Sequence, residues 1–144
     1  MARKVVLAGG CRTAIGVMGG GLSTTPATKL GEIVVRESLK RAGVKPEMVD
    51  EVYMGCVIQA GLGQNPARQA AVNAGIPVEV PATTINVLCG SGLHCVNLAA
   101  KLIANGYADI IVAGGMENMS MAPYLLYQAR FGYRMGAAKM DDSM

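Results

Sequence analysis

The sequence predicts an α/β fold, β-α-β-α-β-α-β, arranged as a mainly parallel sheet with helices on its faces. Three observations lead there. Short apolar runs rich in valine, isoleucine and threonine recur at residues 4–8, 51–58, 83–87 and 109–115. Longer stretches with helical start and stop residues separate them. A glycine then closes each of those stretches, at Gly43, Gly75 and Gly106. Such alternation implies right-handed crossovers between parallel strands.

Taken in order, Lys4 to Ala8 reads as a buried strand, followed by a loop containing Gly19-Gly20-Gly21. Thr25 as N-cap and Pro26 at the first helical position open a helix that ends at Gly43. Glu51 to Ile58 is a second strand, apolar on both faces except at its ends. Asn65 caps the next helix, with Pro66 at its first position and Gly75 at its close. Thr83 to Val87 is the third strand, and the helix after Cys89 runs to about Asn105. Asp109 to Gly115 is the fourth strand. There is no low-complexity tract and no strong internal repeat.

The third helix is apolar around most of its circumference. His94, Asn97, Lys101 and Asn105 form one narrow polar stripe. Leu93, Cys95, Val96, Leu98, Leu102 and Ile103 occupy the rest, which predicts burial on several sides. At about 100° per residue, His94 points roughly 140° away from Cys89, which argues against a local Cys-His dyad.

A length of 144 residues suits one domain, and 51% hydrophobic residues suffice for a core. The mean hydropathy of +0.34 is high for a free-standing domain, so partner subunits or further polypeptide are expected to cover part of the surface. The net charge of +3 comes from scattered Lys and Arg, which disfavours nucleic acid as a partner. The four cysteines include no C-x-x-C pair, and one histidine cannot complete an ordinary zinc set, so no metal is expected. The first residues lack the apolar run of a signal peptide, and no segment reaches membrane-spanning length. Unpaired cysteines in a soluble chain fit a reducing cytoplasm.

The stretch Thr83-Thr84-Ile85-Asn86-Val87-Leu88-Cys89-Gly90-Ser91-Gly92 carries the chemistry. A strand runs into a cysteine, a small-residue turn and a long apolar helix. A thiol at a helix start meets unpaired backbone N–H groups and the positive end of the helix dipole, an environment that favours the nucleophilic thiolate. Gly90 and Gly92 leave room for a sharp turn and for a ligand to approach Cys89. The competing reading is a buried, inert cysteine at a tight turn, and position alone leaves both open. For Cys11, Cys56 and Cys95 the expected role is small apolar filler.

Several motifs agree in order and spacing with one family. Asn86-x-x-Cys89-Gly90-Ser91-Gly92 is followed by Ala113-Gly114-Gly115-Met116-Glu117-Asn118-Met119-Ser120. Arg12-Thr13-Ala14-Ile15-Gly16, Gly61-Leu62-Gly63-Gln64-Asn65-Pro66-Ala67-Arg68-Gln69-Ala70 and Ala122-Pro123-Tyr124 extend the match from end to end. The chain resembles the thiolases, most closely the acetyl-CoA acetyltransferases of the biosynthetic type. The resemblance implies that Cys89 takes an acyl group as a thioester, in a two-step transfer between coenzyme A thiols. The reaction would be Claisen condensation or thiolytic cleavage of a 3-ketoacyl-CoA, with coenzyme A thioesters as substrates and no bound cofactor.

The family's histidine of a Gly-His-Pro motif and its acid/base cysteine of a Cys-x-Gly-Gly-Gly motif do not occur here. The resemblance therefore implies an incomplete N-terminal α/β domain over residues 1–115 and the start of a loop domain, cut short, over 116–144. It further implies a homodimer or homotetramer with the Thr83–Val87 strand near a two-fold contact, and an inactive fragment if residues 1–144 stand alone. His94 and Cys95 depart from the family pattern, which has an arginine and a small residue there. Met121 and Cys11 depart as well, where a basic residue and a small aliphatic are usual. Met116 through Met144 is rich in methionine, which suits core and dimer packing more than an acyl tunnel.

On residues alone, transfer of this kind needs the Cys89 thiolate, a base, and donors for a developing oxyanion, of which the Cys89 backbone N–H is one candidate. Asn86 is expected to fix the turn before the nucleophile. Other readings of the same residues are a β-ketoacyl synthase-like condensing enzyme, a cysteine hydrolase and a dinucleotide-binding module. The hydrolase needs a histidine and an acid following Cys89 in chain order. The dinucleotide module needs a G-x-G-x-x-G turn where this chain has Gly9-Gly10.

Overall fold

In the computed structural model, which describes residues 3–144, β1 (Glu51–Gly55), β2 (Ala82–Ile85) and β3 (Ile111–Gly115) form a parallel sheet in the order β2–β1–β3. Central β1 carries the registers that hold the sheet together: Tyr53 lies opposite Thr83 on one side and Ala113 on the other. Val52 and Met54 are fully buried beneath α1 (Ala27–Ala42) and α2 (Pro66–Ala74), in one apolar cluster. Ala67, Ala70 and Ala71 let those two helices approach closely, and Gly31 of α1 sits where a Cβ would meet Met116 Sδ and the Ala70 methyl. By strand alternation, Tyr53 and Gly55 face the opposite layer, where α3 (Ser91–Ala104) lies against β1 and β3.

Local chemistry explains the helix ends. Asn65 caps α2 by accepting from the Arg68 N–H, and its amide donates to Ala82 O at 2.9 Å, tying the cap to the start of β2. Pro66 occupies the first turn, and Gly75 closes the helix at a φ of 101°. Gly43 closes α1 with φ 66°. Thr25 does not cap α1. Pro26 occupies that position with no side-chain bond, and the Thr25 carbonyl instead accepts from Asn118 Nδ2 at 2.7 Å.

The strands are shorter than the apolar runs that announce them. β1 ends at Gly55 rather than Ile58: the Cys56 N–H still donates to Ile85 O at 3.1 Å, but the Val57 and Ile58 amides donate to the Glu117 carboxylate. β2 ends at Ile85 rather than Val87, where Asn86 and Ser91 take over the local hydrogen bonds. β3 starts at Ile111 because the Asp109 and Ile110 amides donate to Asp50 Oδ2, at 2.7 and 2.9 Å.

The expected first strand does not form. Residues 4–8 make no ladder, and Val6 and Leu7 are exposed. A cavity of ≈ 250 Å³ is lined by this segment together with residues of α1, α3 and β3. Its start is held by Arg3, whose N–H donates to Ala104 O and whose guanidinium pairs with Asp109. The sheet among the described residues therefore has three parallel strands, not four.

The third helix buries only Ser91, Cys95 and Ala99, one stripe at i, i+4 and i+8. His94, Asn97 and Lys101 are exposed as the polar stripe predicted, but Leu93 is 67% exposed too. The expected burial on several sides is thus not present within these residues. After β3, a helical turn at Met119–Met121 leads to β4 (Tyr124–Leu125), which pairs antiparallel with β5 (Asp141–Asp142).

Two measurements test this packing. A Cβ added at Gly55 would lie 2.7 Å from Ser91 Cβ and 2.9 Å from Gly92 N, both firmly placed atoms. Gly55→Ala is expected to destabilise the protein by about 1–3 kcal/mol in denaturant titration. Gly10→Ala, with nothing within 4 Å, is the control expected to change little.

The bonds from Ile110 and then Asp109 hold the Asp50 carboxyl below the usual carboxylate range. A lowered folded pKa means the Asp50 contribution is complete above about 3.9, the unfolded value, and is lost as pH falls through the folded value. Wild type should therefore exceed Asp50→Asn in stability at neutral pH, with the gap closing in strong acid. An equal gap across that range would remove Asp50 as the cause.

Candidate active site

A cleft of ≈ 490 Å³ opens at the C-terminal ends of the strands, between the β1 terminus, the β2–α3 turn and the segment after β3. Ligand sites of open α/β sheets form at this edge. Cys89 and Leu88 line it from the turn, Cys56 and Val57 from the end of β1, and Met116, Glu117 and Met119 from beyond β3.

The turn that presents Cys89 is built on an unfavourable backbone conformation. Leu88 has φ 56°, the left-handed region, which costs a residue with a Cβ about 1–2 kcal/mol. Three side-chain bonds hold it there. The Leu88 N–H donates to Asn86 Oδ1 at 3.1 Å, and the Ser91 hydroxyl donates to Leu88 O at 2.6 Å. That same hydroxyl accepts from the Val87 N–H at 3.0 Å. Ser91 is almost fully buried, so its position is set by packing. Asn86 also donates to Val57 O at 3.2 Å, joining the turn to the end of β1. Asn86 thus holds the turn before Cys89, in line with expectation.

The two glycines read from sequence as the makers of this turn are not its bend. Gly90 sits at φ −83°, open to any residue. The glycine requirement falls instead on the seat of the helix. Gly55 leaves no room for a Cβ against Ser91, and a Cβ on Gly115 would reach Gly92 Cα at 3.4 Å. Sequence reasoning missed both, and missed Leu88, whose left-handed φ is the least expected from a leucine.

The structure separates the cysteines sharply. Cys89 is exposed at the cleft wall, while Cys56 and Cys95 are buried. Burial, helped by the nearby Glu117 carboxylate, pushes the Cys56 thiol up to about 12. Burial also raises Cys95. Cys11 is half-buried and donates to Val34 O. His94 is exposed and does not line the cleft, as its position on the helix predicted.

Glu117 was legible only as a carboxylate near a strand end. Its Oε2 accepts from Val57 N at 2.8 Å and from Ile58 N at 3.3 Å, so it is committed to backbone donors. Its neighbour Asn118 donates to the Leu22, Ser23 and Thr25 carbonyls and accepts from the Ser120 N–H. The signal in the sequence was a polar pair directly after an apolar strand, at the edge where such sheets place their sites. Among the described residues no group of His, Cys, Asp or Glu could hold a metal ion. Nor is any helix of the described residues long and apolar enough to cross a membrane. The arrangement supplies one accessible sulfur nucleophile on an apolar, methionine-lined wall.

Comparison with known proteins agrees with this geometry. The family model described as the N-terminal domain of thiolase matches residues 5–144. An acetyl-CoA acetyltransferase of Syntrophomonas wolfei is 59% identical over 141 residues, covering 98% of this chain and 36% of the relative. An acetyl-CoA acetyltransferase of Cupriavidus necator is 58% identical over 140 residues, covering 97% of this chain and again 36% of the relative. The crystal structure of the Bacillus anthracis acetyl-CoA acetyltransferase superposes with a TM-score of 0.84 at 41% identity, over 89% of this chain and 32% of that one. The chain thus spans about a third of the length of the curated relatives it matches.

Folded protein treated with sub-stoichiometric iodoacetamide near neutral pH should be alkylated first at Cys89, read by peptide mass mapping. Cys56 stays a protonated thiol until the pH approaches about 12, so it should remain unlabelled. First labelling of Cys11, Cys56 or Cys95 would contradict the site.

Proposed function

We propose that this chain, which belongs to the thiolase family, carries the acyl-accepting nucleophile of an acetyl-CoA acetyltransferase. The observation that bears most weight is the exposed Cys89 thiol, held at a strand-to-helix turn on the wall of an apolar cleft. In the first step Cys89 Sγ attacks the carbonyl carbon of an acetyl thioester. The new C–S bond forms as the bond to the coenzyme A sulfur breaks, and coenzyme A leaves as a thiol with the proton that Cys89 gave up. In the second step the α-carbon of another acetyl-CoA loses a proton and attacks the acetyl carbonyl, giving a 3-ketoacyl thioester as the bond to Cys89 Sγ breaks and the sulfur regains a proton as the thiol. Thiolysis is the same sequence reversed.

Among the described residues, His94 is exposed and does not line the cleft, and Glu117 Oε2 is engaged by two backbone N–H groups, so neither is assigned as the base. The base belongs to the part of the protein that corresponds to the relatives' remaining length. On this reading residues 1–115 are the nucleophile-bearing α/β domain and residues 116–144 open a loop domain that receives coenzyme A. Substrates are coenzyme A thioesters, with no bound cofactor and no metal. The protein works in the cytoplasm as a homodimer or homotetramer, touching neither nucleic acid nor membrane. An assembly is supported by β2 lying at a sheet edge and by apolar side chains left open on α3, Leu93 foremost. A condensing enzyme of the β-ketoacyl synthase kind and a cysteine hydrolase are not favoured by relatives named acetyl-CoA acetyltransferase.

The test is acyl capture. Full-length protein mixed with acetyl-CoA and quenched in acid should carry one acetyl group on the peptide containing Cys89. Cys89→Ser should lose that adduct together with acetoacetyl-CoA thiolysis, by a factor of about 10³ or more. Residues 1–144 alone should show no turnover. Turnover by Cys89→Ser, or an adduct on another residue, overturns the proposal.

A further inference from the structure

Beyond the nucleophile itself, we propose that Glu117 is a positioning residue for Cys89, acting at a distance through Val57 and Asn86. The inference deepens the reading of Cys89 as acyl acceptor and rests on it. Glu117 Oε2 accepts from the Val57 and Ile58 amides, 2.8 and 3.3 Å away, just where β1 ends. The carbonyl of that same Val57 accepts from Asn86 Nδ2 at 3.2 Å. The other end of the Asn86 amide, Oδ1, accepts from the Leu88 N–H at 3.1 Å. Leu88, at φ 56°, is the residue immediately before Cys89.

Each link fixes the next. A carboxylate accepting two amide bonds is a strong, charge-assisted anchor, and through the Ile58 N–H it sets the orientation of the Val57–Ile58 peptide plane. That plane aims the Val57 carbonyl at Asn86 and so fixes which way the Asn86 amide faces. Only in that orientation does Oδ1 reach the Leu88 N–H and help hold a leucine in the left-handed region. Without Glu117 the Val57 and Ile58 amides turn to find other acceptors, Asn86 loses its brace, and Leu88 is freer to return to a preferred conformation. The thiol then moves relative to the cleft. A displacement of about 1 Å at a reacting group costs roughly 10²-fold in rate. Ser91 braces the same turn from the helix side, so the loss of one arm should shift the turn without abolishing it.

The experiment is a double-mutant cycle in the full-length protein, with Glu117→Ala and Asn86→Ala singly and together. Two rates are followed: alkylation of Cys89 by iodoacetamide and formation of the acetyl adduct from acetyl-CoA. Each single variant should slow both rates by roughly 10-fold or more, and the double variant no more than the worse single, because both remove one relay. Glu117→Gln keeps an oxygen acceptor for the Val57 N–H, so it should stay within about threefold of wild type.

Multiplicative effects in the double variant overturn the relay. So does a Glu117→Gln loss as large as that of Glu117→Ala, since that assigns the work to the charge itself. A residue that only supports the fold would lower the melting temperature without this coupling in the rates. If Glu117→Ala fails to fold, Asn86→Ala alone tests the middle link, and rates within threefold of wild type overturn the proposal. Coupled alkylation in a protein that forms no acetyl adduct would sink the acyl-transfer reading and leave the relay standing. An acetyl adduct without coupling sinks the relay alone.

Discussion

The seating of α3 on bare backbone is the constraint from which the site follows. Gly55 at the end of β1 lies under the first turn of the helix, where a Cβ would collide with Ser91 and Gly92, and Gly115 at the end of β3 lies in close contact with Gly92. Because the helix start sits so low on the sheet, Ser91 is buried and its hydroxyl reaches back to Val87 and Leu88. Those bonds bend the chain through Leu88 and lift Cys89 to the rim. Ser91 is only three residues from Leu88, and its backbone N–H also donates to Leu88 O at 3.0 Å, so the turn and the helix start form one hydrogen-bonded unit seated on Gly55. Packing between layers and presentation of the thiol are thus a single geometric fact.

The polar groups around the cleft mainly terminate structure. Glu117 takes the amides that would have continued β1, Asn86 takes the amide beyond β2, and Asp50 takes those preceding β3. Each ladder is cut short by a side chain that satisfies the freed N–H groups, as buried or half-buried donors require. Ending β1 and β2 early opens the volume of the cleft. Glu117 Oε2 is occupied in this way, while its other oxygen has the Cys56 thiol beside it at 3.9 Å.

What could be read from the sequence was what is decided locally. Asn65, Pro66 and Gly75 around α2, and Gly43 after α1, behave as their residue types dictate, because a cap depends on a few neighbouring atoms. The alternation of strands and helices survived for the same reason, and the strand-cysteine-helix order put Cys89 at the right edge of the sheet. Residues 4–8 have strand composition, yet a strand exists only with a partner edge at hydrogen-bonding distance, which composition does not encode. Leu88 was invisible because its conformation runs against its own preference and is imposed by Asn86 and Ser91. Gly90 and Gly92 attracted attention for being next to the cysteine, whereas the glycine at Gly55 is needed tens of residues away in sequence, through a contact between layers.

The same layering explains how one chain buries Cys56 and Cys95 and exposes Cys89. Cys56 lies at the end of β1, lining the same cleft as Cys89, yet it is buried and its Sγ is 3.9 Å from a Glu117 oxygen. A neighbouring carboxylate and a dry environment both disfavour a thiolate, so Cys56 remains protonated and inert beside the site. Cys95 points into the α3 seam four residues from Ser91 and is silenced by burial. Cys89 escapes both fates because the left-handed turn at Leu88 carries it out of the seam that Ser91 and Cys95 share. Glu117 thereby has two contacts at the cleft, one with the Val57 and Ile58 amides and one beside the second thiol.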